Sequence, residues 1–550
     1  MKIQVIFSLV IKKARCCEIR FSSWFSCSSS RNCPFCLKML FDCMNNFYIR
    51  GMSAVLNLIW FLPVLTVFVS LLIPRQQNQT LKMFHAISAL ANMGLCVFFT
   101  IKIYCLVMNS GTPIGNALHL QYLTDVSWLP ALGIRFIIGA DALSILMCFL
   151  ASVIVFTGIL MSWNVERPKE FFAMIQILGS GVFGVFLSFD LFLLMVFYEV
   201  EALAMYLMIA GWGTGRRDYC GKKLTLTLAL GSAFALIAVI AMYSESNIGS
   251  WDIRRLADVL LPTKFQMWAF PLLFIGFAIS GSLFPFHNWS PDGHSAAPTA
   301  VSMFAAGVMM KMGCYGCLRV AMYLMPEGAK FWLPYIVLLV LFNVVAAAFI
   351  AIKQRDLKYI IAYSSISHLG LIFLGLCATN LISIKGASLQ MLSHGFLTGL
   401  FFACIGMIYG RTHTRMVDEM GGLMKVIPLM GVGFVIAGFT GLGLPGLSGF
   451  AAELPIFIGS LGASNKVVQV VAVFAILSIT TTAVYVLQAT NKMLSGPLNP
   501  KFSSLPPITM PERIVLGVYF ICLFGMGLLP GWISKFLDTS LLPIFANINR

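Results

Sequence analysis

Long apolar runs, separated by short polar loops, follow one another along the chain from Met52 onward. A helix needs about 20 mostly apolar residues to cross the hydrocarbon layer of a membrane. Because lipid offers no partner to a free backbone group, such a chain crosses as helices. The pattern therefore predicts an all-α polytopic membrane protein with about 14 transmembrane helices. The predicted spans are 54–73, 83–107, 141–162, 170–189, 190–211, 222–243, 266–286, 298–321, 331–352, 358–377, 385–409, 427–458, 467–490 and 511–530.

Two of the predicted spans are interrupted by glycine and proline. The seventh, 266–286, contains Gly281 and Pro285. The twelfth, 427–458, contains a glycine- and proline-rich run at 441–446. Interruptions at matching places in two halves are typical of inverted repeats with broken helices. The two spans lie five apart, as two five-helix repeats require, and two unrelated proline kinks are the alternative.

The composition agrees with a membrane protein. Hydrophobic residues make up 59% of the chain and charged residues 11%, whereas soluble domains carry roughly 25% charged residues. The net charge of +16 comes from basic residues in short loops, where they orient helices. No basic face with interleaved aromatic residues is present, so we do not expect nucleic-acid binding.

These patterns divide the chain into five predicted regions. They are a leader at 1–51, the first three helices with an outside loop at 52–162, a first repeat at 163–324, a second repeat at 325–495, and a last helix with the C-terminal tail at 496–550.

Ionisable side chains inside the apolar spans are the main functional signal. Each costs several kcal/mol near the middle of a bilayer unless it has a partner or water. Acids, bases and imidazoles in successive helices are what a proton relay needs, because burial and neighbouring charges tune their affinity for protons. The predicted relay residues are Glu199, Glu201, Lys311, His368, His394 and Glu453.

Each of these residues also has a structural interpretation. Lys311, Glu199 and Glu453 could form static ion pairs that hold helices together. Either histidine could be a core residue bonded to a neighbouring carbonyl. The two acids of the fifth span are two residues apart, so they project from roughly opposite helix faces. We rank Glu199 above Glu201 as the residue on the proton path.

Several long motifs resemble the proton-conducting antiporter-like subunits of respiratory complex I. The first is Leu-Phe-Pro-Phe-His-Asn-Trp-Ser-Pro-Asp-Gly-His-Ser-Ala-Ala-Pro-Thr at 283–299, continuing to Lys311 and Arg319. The others are Gly-Ala-Asp-Ala-Leu-Ser at 139–144, Ile-Ala-Tyr-Ser-Ser-Ile-Ser-His at 361–368, Gly-Arg-Thr-His-Thr-Arg at 410–415 and Gly-Leu-Pro-Gly-Leu-Ser-Gly-Phe-Ala-Ala-Glu at 443–453. Together they resemble chain 4, or subunit M, most closely, over about residues 52–540.

The resemblance implies a role for each relay residue. Glu199 matches the acid of the fifth helix, which pairs in the family with a lysine on the broken seventh helix. Lys311 matches the central lysine of the eighth helix, and Glu453 the terminal acid. His368 and His394 match the polar links towards the second half-channel. The family fold has two inverted five-helix repeats.

The resemblance also implies what lies outside this chain. No redox cofactor is expected here, and NADH, FMN, iron–sulfur clusters and quinone are expected on partner subunits. The partners are other membrane subunits, including sister antiporter-like subunits, and the lipid bilayer. The predicted enzyme is a non-redox, proton-pumping subunit of NADH dehydrogenase (quinone). Its membrane is an energy-transducing one, with a bacterial inner membrane favoured over a mitochondrial inner or thylakoid membrane.

One position departs from the family pattern. Ser280 stands where the family has the lysine of the seventh helix, and Ser282 and Ala204 replace two prolines. Without that lysine, a buried Glu199 is expected to stay neutral, or to be served by another cation such as Lys222 or Lys223.

Two other functions remain as alternatives. A subunit of a multi-subunit sodium/proton antiporter shares these helices and much of the signature, and co-purifying subunits would separate the two. A membrane metalloenzyme with intramembrane histidine ligands is weaker, because only His368 and His394 lie within spans and no HExxH spacing is present.

The leader gives the first testable prediction. Residues 1–51 carry eight Lys and Arg but two acids, a composition typical of an organellar transit peptide. An over-called start, with translation beginning at Met44 or Met52, is the explanation that we favour. Either way, we expect intact mass or N-terminal sequencing of the native subunit to show no residues 1–40. Their presence in the assembled complex would contradict this.

Overall fold

A computed structural model describes residues 34–110, 118 and 120–549 of the chain. The chain divides into a short unit, Met1–Ser53, and a large unit, Ala54–Arg550. Most of the predicted leader therefore lies outside the described residues, which begin within it at Pro34. The predicted boundaries of the five regions stay predictions.

The described chain is a bundle of helices with a β-hairpin. The helices are α1 Pro34–Leu71, α2 Asn78–Ser110, α3 Ala142–Met161, α4 Pro168–Leu187, α5 Leu191–Trp212, α6 Arg217–Ser246, α7 Ile253–Asp258, α8 Thr263–Ser280, α9 Trp289–Ala296, α10 Thr299–Met322, α11 Pro326–Lys353, α12 Leu357–Cys377, α13 Leu381–Thr412, α14 Pro428–Gly441, α15 Ser448–Leu461, α16 Lys466–Leu494, α17 Met510–Leu528 and α18 Pro530–Ile548. Within the described residues, 12 helices are long and apolar enough to cross a membrane.

The two interrupted spans are broken where the sequence predicted. Helix α8 ends at Ser280, and the chain passes through a cis peptide before Pro285 and into α9. Helix α14 ends at Gly441, and α15 begins at Ser448. Between them Gly443 and Gly446 have positive φ angles of 65° and 91°, which glycine adopts without strain. The number of 14 spans and the inverted relation of the repeats stay predictions.

The hairpin is the part of the fold that the sequence did not predict. Strand β1, Gln121–Leu129, pairs antiparallel with β2, Ile134–Ala140, in the expected outside loop. Its tip is tied down by Trp251, whose indole N–H donates to the Leu132 carbonyl at 2.9 Å. The all-α prediction therefore holds for the spans but is incomplete for this loop.

The hairpin also holds the start of α5. Asp190 caps this helix by accepting hydrogen bonds at 3.1 Å from the backbone N–H groups of Leu193 and of Arg135 in β2. Burial raises the pKa of Asp190 to about 6. The carboxylate, which makes the stronger cap, is the form present above that pH.

Burial separates central from peripheral helices. In α10, every residue of the most apolar 18-residue stretch is buried. In α3, α12 and α13, 94% of the corresponding stretch is buried. In α1 and α17, only 28% of the corresponding stretch is buried. The central helices therefore form the core, and the peripheral ones turn apolar side chains outward, as lipid-facing helices do.

A buried ion pair fastens α10 to α3. The Arg319 guanidinium donates to the Asp141 carboxylate, and both side chains are almost completely buried. Asp141 also caps α3, since it accepts from the Ser144 N–H at 2.9 Å while its own N–H donates to the Ser144 hydroxyl at 2.9 Å. The guanidinium lies against the Phe189 ring at 5.4 Å. One carboxylate thus fixes both a helix start and a buried cation.

This pair gives a stability prediction. Asp141→Asn keeps the shape of the cap but leaves the Arg319 charge buried and unpaired, which costs about 3–5 kcal/mol. We expect a lower midpoint of thermal disassembly for the purified complex and less subunit in the membrane. The control is Arg75→Gln, in an exposed pair with Glu170, which should cost at most about 1 kcal/mol. Equal stability of the two variants would contradict the prediction.

Candidate functional site

Lys311 lies at the centre of the bundle, on the fully buried helix α10. Its ammonium donates to the carbonyl of Ala306, five residues earlier. The helix has π turns at Ala305–Met309 and Cys317–Met322, on either side of Lys311. A π turn frees carbonyl groups from the regular ladder, and such turns are frequent at functional sites. The local helix geometry thus supplies the acceptor that a buried ammonium needs.

Glycines bring the neighbouring helices against α10. A methyl group at Gly313 would lie 2.5 Å from the Phe277 carbonyl oxygen of α8. A methyl group at Gly395 of α13 would lie 2.8 Å from the Gly307 carbonyl oxygen. These contacts place Lys311 between the broken end of α8 and the middle of α13.

Three of the predicted relay residues, His368, His394 and Glu453, lie together in the structure. The two imidazole rings, on α12 and α13, have centroids 5.3 Å apart. His368 Nδ1 lies 3.2 Å from Glu453 Oε1 on α15, within ion-pair distance but without hydrogen-bond alignment. All three residues are at most 3% exposed. His394 also lies close enough to Lys311 for their charges to interact.

The structure buries the second acid of α5 and exposes the first, while their predicted ranking on the proton path stays a prediction. Glu201 is 1% exposed, and its Oε1 has no hydrogen-bond partner within the described chain. Glu199 is exposed on the surface of the bundle. The two do lie on different helix faces, as expected, but the buried face is the one that carries Glu201. Whether either acid carries protons stays a proposal.

Ser280 is buried at the end of α8, beside Lys311. Its hydroxyl donates to the Met309 carbonyl at 3.2 Å and lies near the Tyr198 hydroxyl of α5. Tyr198 is itself buried. The position of the family lysine is therefore joined to α10 by a hydrogen bond and lies near Tyr198 of α5.

The cation suggested as a substitute for the missing lysine is engaged elsewhere. Lys223 forms an ion pair with Asp292 at 2.7 Å, and Lys222 is exposed. No described Lys, Arg or His lies within 4.0 Å of the Glu199 carboxylate. Among the described residues, neither Lys222 nor Lys223 pairs with Glu199, as had been suggested from the sequence.

Two further contacts at the site were not predicted. Gln390 Nε2 donates to Glu453 Oε1 at 3.1 Å, and the hydroxyls of Ser393 and Ser448 lie 2.8 Å apart between α13 and α15. Gln390 precedes His394 by four residues, so the two share a helix face. That spacing was a usable signal for Gln390. A serine in an apolar run gives no comparable signal.

A polar cluster leads from Lys311 towards one end of the bundle. His294 stacks on Phe402 at 5.0 Å and lies within electrostatic reach of both Lys311 and Lys358. Lys358 donates to the Ala297 carbonyl at 2.6 Å. Beyond it, the Tyr359 hydroxyl donates to Asp292 at 2.9 Å. Polar side chains thus continue from the centre of α10 to the loops.

The arrangement suits proton exchange. Lysine, imidazole and carboxyl groups can each hold and release a proton, and a neutral imidazole can accept at one nitrogen and release from the other. Within the part of the chain that the structure describes, no three His, Cys, Asp or Glu side chains come together as metal ligands.

The fold and site define a multi-pass membrane protein with a line of buried ionisable side chains through its centre. The family model for "NADH:quinone oxidoreductase/Mrp antiporter, TM" matches residues 188–480, more than half of the chain. The chain belongs to this family.

Two relatives show which subunit of the family this chain resembles. NAD(P)H-quinone oxidoreductase chain 4 3 from Picosynechococcus sp. is 31% identical over 510 residues, covering 87% of this chain and 91% of that one. NAD(P)H-quinone oxidoreductase chain 4 from Gloeobacter violaceus is 34% identical over 418 residues, covering 75% and 80%. The predicted resemblance to chain 4 is confirmed.

Two solved complexes contain chains of the same fold. A chain in the respiratory complex I from Thermus thermophilus with bound NADH gives a TM-score of 0.80 at 24% identity, covering 90% of this chain and 99% of that one. A chain in the Mrp complex from Dietzia sp. gives 0.76 at 18% identity, covering 89% and 97%. At 24% and 18% identity, these similarities show a shared fold and nothing beyond it.

The contact between α10 and α13 gives a packing prediction. Gly395→Ala places a methyl group 2.6 Å from the Leu150 side chain and 2.8 Å from the Gly307 carbonyl oxygen. The carbonyl is backbone and cannot yield, so we expect a loss of about 1–3 kcal/mol. The control is Gly410→Ala in the same helix, where nothing lies within 4 Å. Thermal disassembly of the two purified complexes measures the difference, and a Gly395→Ala complex as stable as the control would refute the tight contact.

Proposed function

We propose that this chain translocates protons as a non-redox membrane subunit of a complex-I-type NAD(P)H:quinone oxidoreductase in an energy-transducing membrane. The observation that supports it best is the buried line from Lys311 through His394 and His368 to Glu453. Keeping such groups inside a membrane costs several kcal/mol without partners or water, so they mark transport pathways more often than structure. The electron donor, its flavin and iron–sulfur centres, and the quinone belong to partner subunits.

The side chains suggest how a proton passes. A proton released by the Lys311 ammonium reaches His394, whose ring nitrogens are free of other hydrogen bonds among the described residues. His368 takes the proton next, across rings 5.3 Å apart, by side-chain rotation or an intervening water. Glu453 accepts it last, at 3.2 Å from His368 Nδ1. Gln390 holds the Glu453 carboxylate in place by donating to Oε1.

A sodium/proton antiporter subunit is the second candidate, because a chain of the Mrp complex shares the fold. The relatives named as chain 4 favour the first. The subunits that co-purify with the tagged native chain separate the two. Quinone-reductase subunits are expected, and a set of antiporter subunits alone would contradict the proposal.

Lys311 should be the least replaceable ionisable residue of the chain. Lys311→Ala removes the central proton carrier without adding volume. We expect the complex to assemble, with a lower proton-to-electron ratio and slower coupled quinone reduction. Inverted membrane vesicles with a pH-sensitive dye measure the ratio. The matched control is Lys330→Ala, in an exposed pair with Glu327. An assembled Lys311→Ala complex that pumps at the normal ratio would show that the central relay role is wrong.

A further inference from the structure

The first half of the bundle lacks the glutamate–lysine pair that the family pattern places there, and its interior holds another acid. Glu201 is packed against α4, where a methyl group at Gly181 would lie 3.3 Å from the Glu201 Cβ atom. Its Oε1 has no partner among the described residues, and no described cation lies within 4.0 Å of it. A buried carboxyl without a cation is far cheaper as the neutral acid than as an anion. Glu201 is therefore suited to hold a proton.

Tyr198 connects Glu201 to the site of the missing lysine. It precedes Glu201 by three residues, so the two side chains are neighbours on one face of α5. Tyr198 packs edge-on against Phe277 of α8, with ring centroids 6.0 Å apart. Its hydroxyl lies near the Ser280 hydroxyl.

Ser280 carries the connection to the central helix. Its hydroxyl reaches the Met309 carbonyl at 3.2 Å, two residues before Lys311. The backbone there is in tight contact, since a methyl group at Gly313 would lie 2.5 Å from the Gly281 nitrogen. Two hydroxyls thus bridge the interior from α5 to α10 at the level of the lysine.

We propose that Glu201, Tyr198 and Ser280 form the proton-conducting arm that supplies Lys311 in this chain. The inference rests on the proposed function and assigns the residues of the proton path that lead to Lys311. The Glu201 acid gives its proton to the Tyr198 oxygen, while the phenol proton passes to the Ser280 oxygen. The serine proton passes through water to the Lys311 amine. Each hydroxyl gains one proton and loses one, so only Glu201 and Lys311 change charge.

The arrangement separates the two acids of α5 by function. Glu199 is exposed, so its carboxyl is not part of the interior chain of hydroxyls. Glu201 is buried within it. A neutral hydroxyl path needs no cation at position 280, which is consistent with the serine found there.

The test compares variants of the assembled complex in inverted vesicles, by proton uptake per electron transferred. Glu201→Gln removes the carrier with its volume kept, and we expect proton uptake through this subunit to fall about tenfold or more. Tyr198→Phe and Ser280→Ala should each reduce proton uptake. The double variant should reduce it no more than the stronger single variant, because both substitutions interrupt the same path. Ser280→Thr keeps a hydroxyl and should retain uptake. The unchanged control is Glu245→Gln, at an exposed site on α6.

Glu199→Gln decides between the two acids. We expect it to reduce uptake much less than Glu201→Gln. The inference is overturned if Glu201→Gln pumps normally, or if Glu199→Gln abolishes pumping while Glu201→Gln does not. Lys311→Ala runs in parallel, because it tests the proposed function itself. If Lys311→Ala fails to pump while Glu201→Gln pumps normally, only the assignment of the first half is wrong.

Discussion

The cost of a charge in hydrocarbon is the constraint on which this structure depends. Lys311 is completely buried, and a lysine at the centre of a bilayer costs at least roughly 2.5–3.5 kcal/mol without help. The bundle meets that cost in three ways. A π turn presents the Ala306 carbonyl, α10 is surrounded on all sides, and a row of polar groups lies next to the ammonium. The same arrangement gives its proton a route, because side chains that can hold and release a proton lie along the bundle.

The sequence predicted the spans and the breaks better than it predicted the faces of the helices. Gly281, Pro285 and the 441–446 run interrupt helices for local reasons, so their effect is visible without the fold. The face of α5 is different, because apolar residues surround Glu199 and Glu201 on every side. The structure shows that α4 packs against the face of Glu201, where Gly181 is in close contact. A helix that is apolar all round has no periodic signal to mark its buried face.

The residues of the site also divide into those that the sequence could predict and those that only the structure shows. His368, His394 and Glu453 could be predicted because ionisable groups in apolar runs are rare, and the structure places them together. Tyr198 and Ser393 could not, since hydroxyl side chains are ordinary inside membrane helices and only a contact across helices gives them meaning. The hairpin at 121–140 was missed because its nine- and seven-residue strands lie in a loop whose apolar content is low beside the spans. Trp251 and Asp190, which hold it, are distant in sequence.

The contact between Gly307 and Gly395 has a mechanical consequence. Gly307 follows Ala306, whose carbonyl accepts the hydrogen bond from Lys311. Gly395 follows His394 on the other helix. Because the two backbones are already in close contact there and protein interiors compress little, the helices cannot move closer together. The distance between the Lys311 and His394 backbones therefore has a lower limit. Any gating that brings the two side chains closer falls to side-chain rotation or hydration and not to a closer approach of the helices.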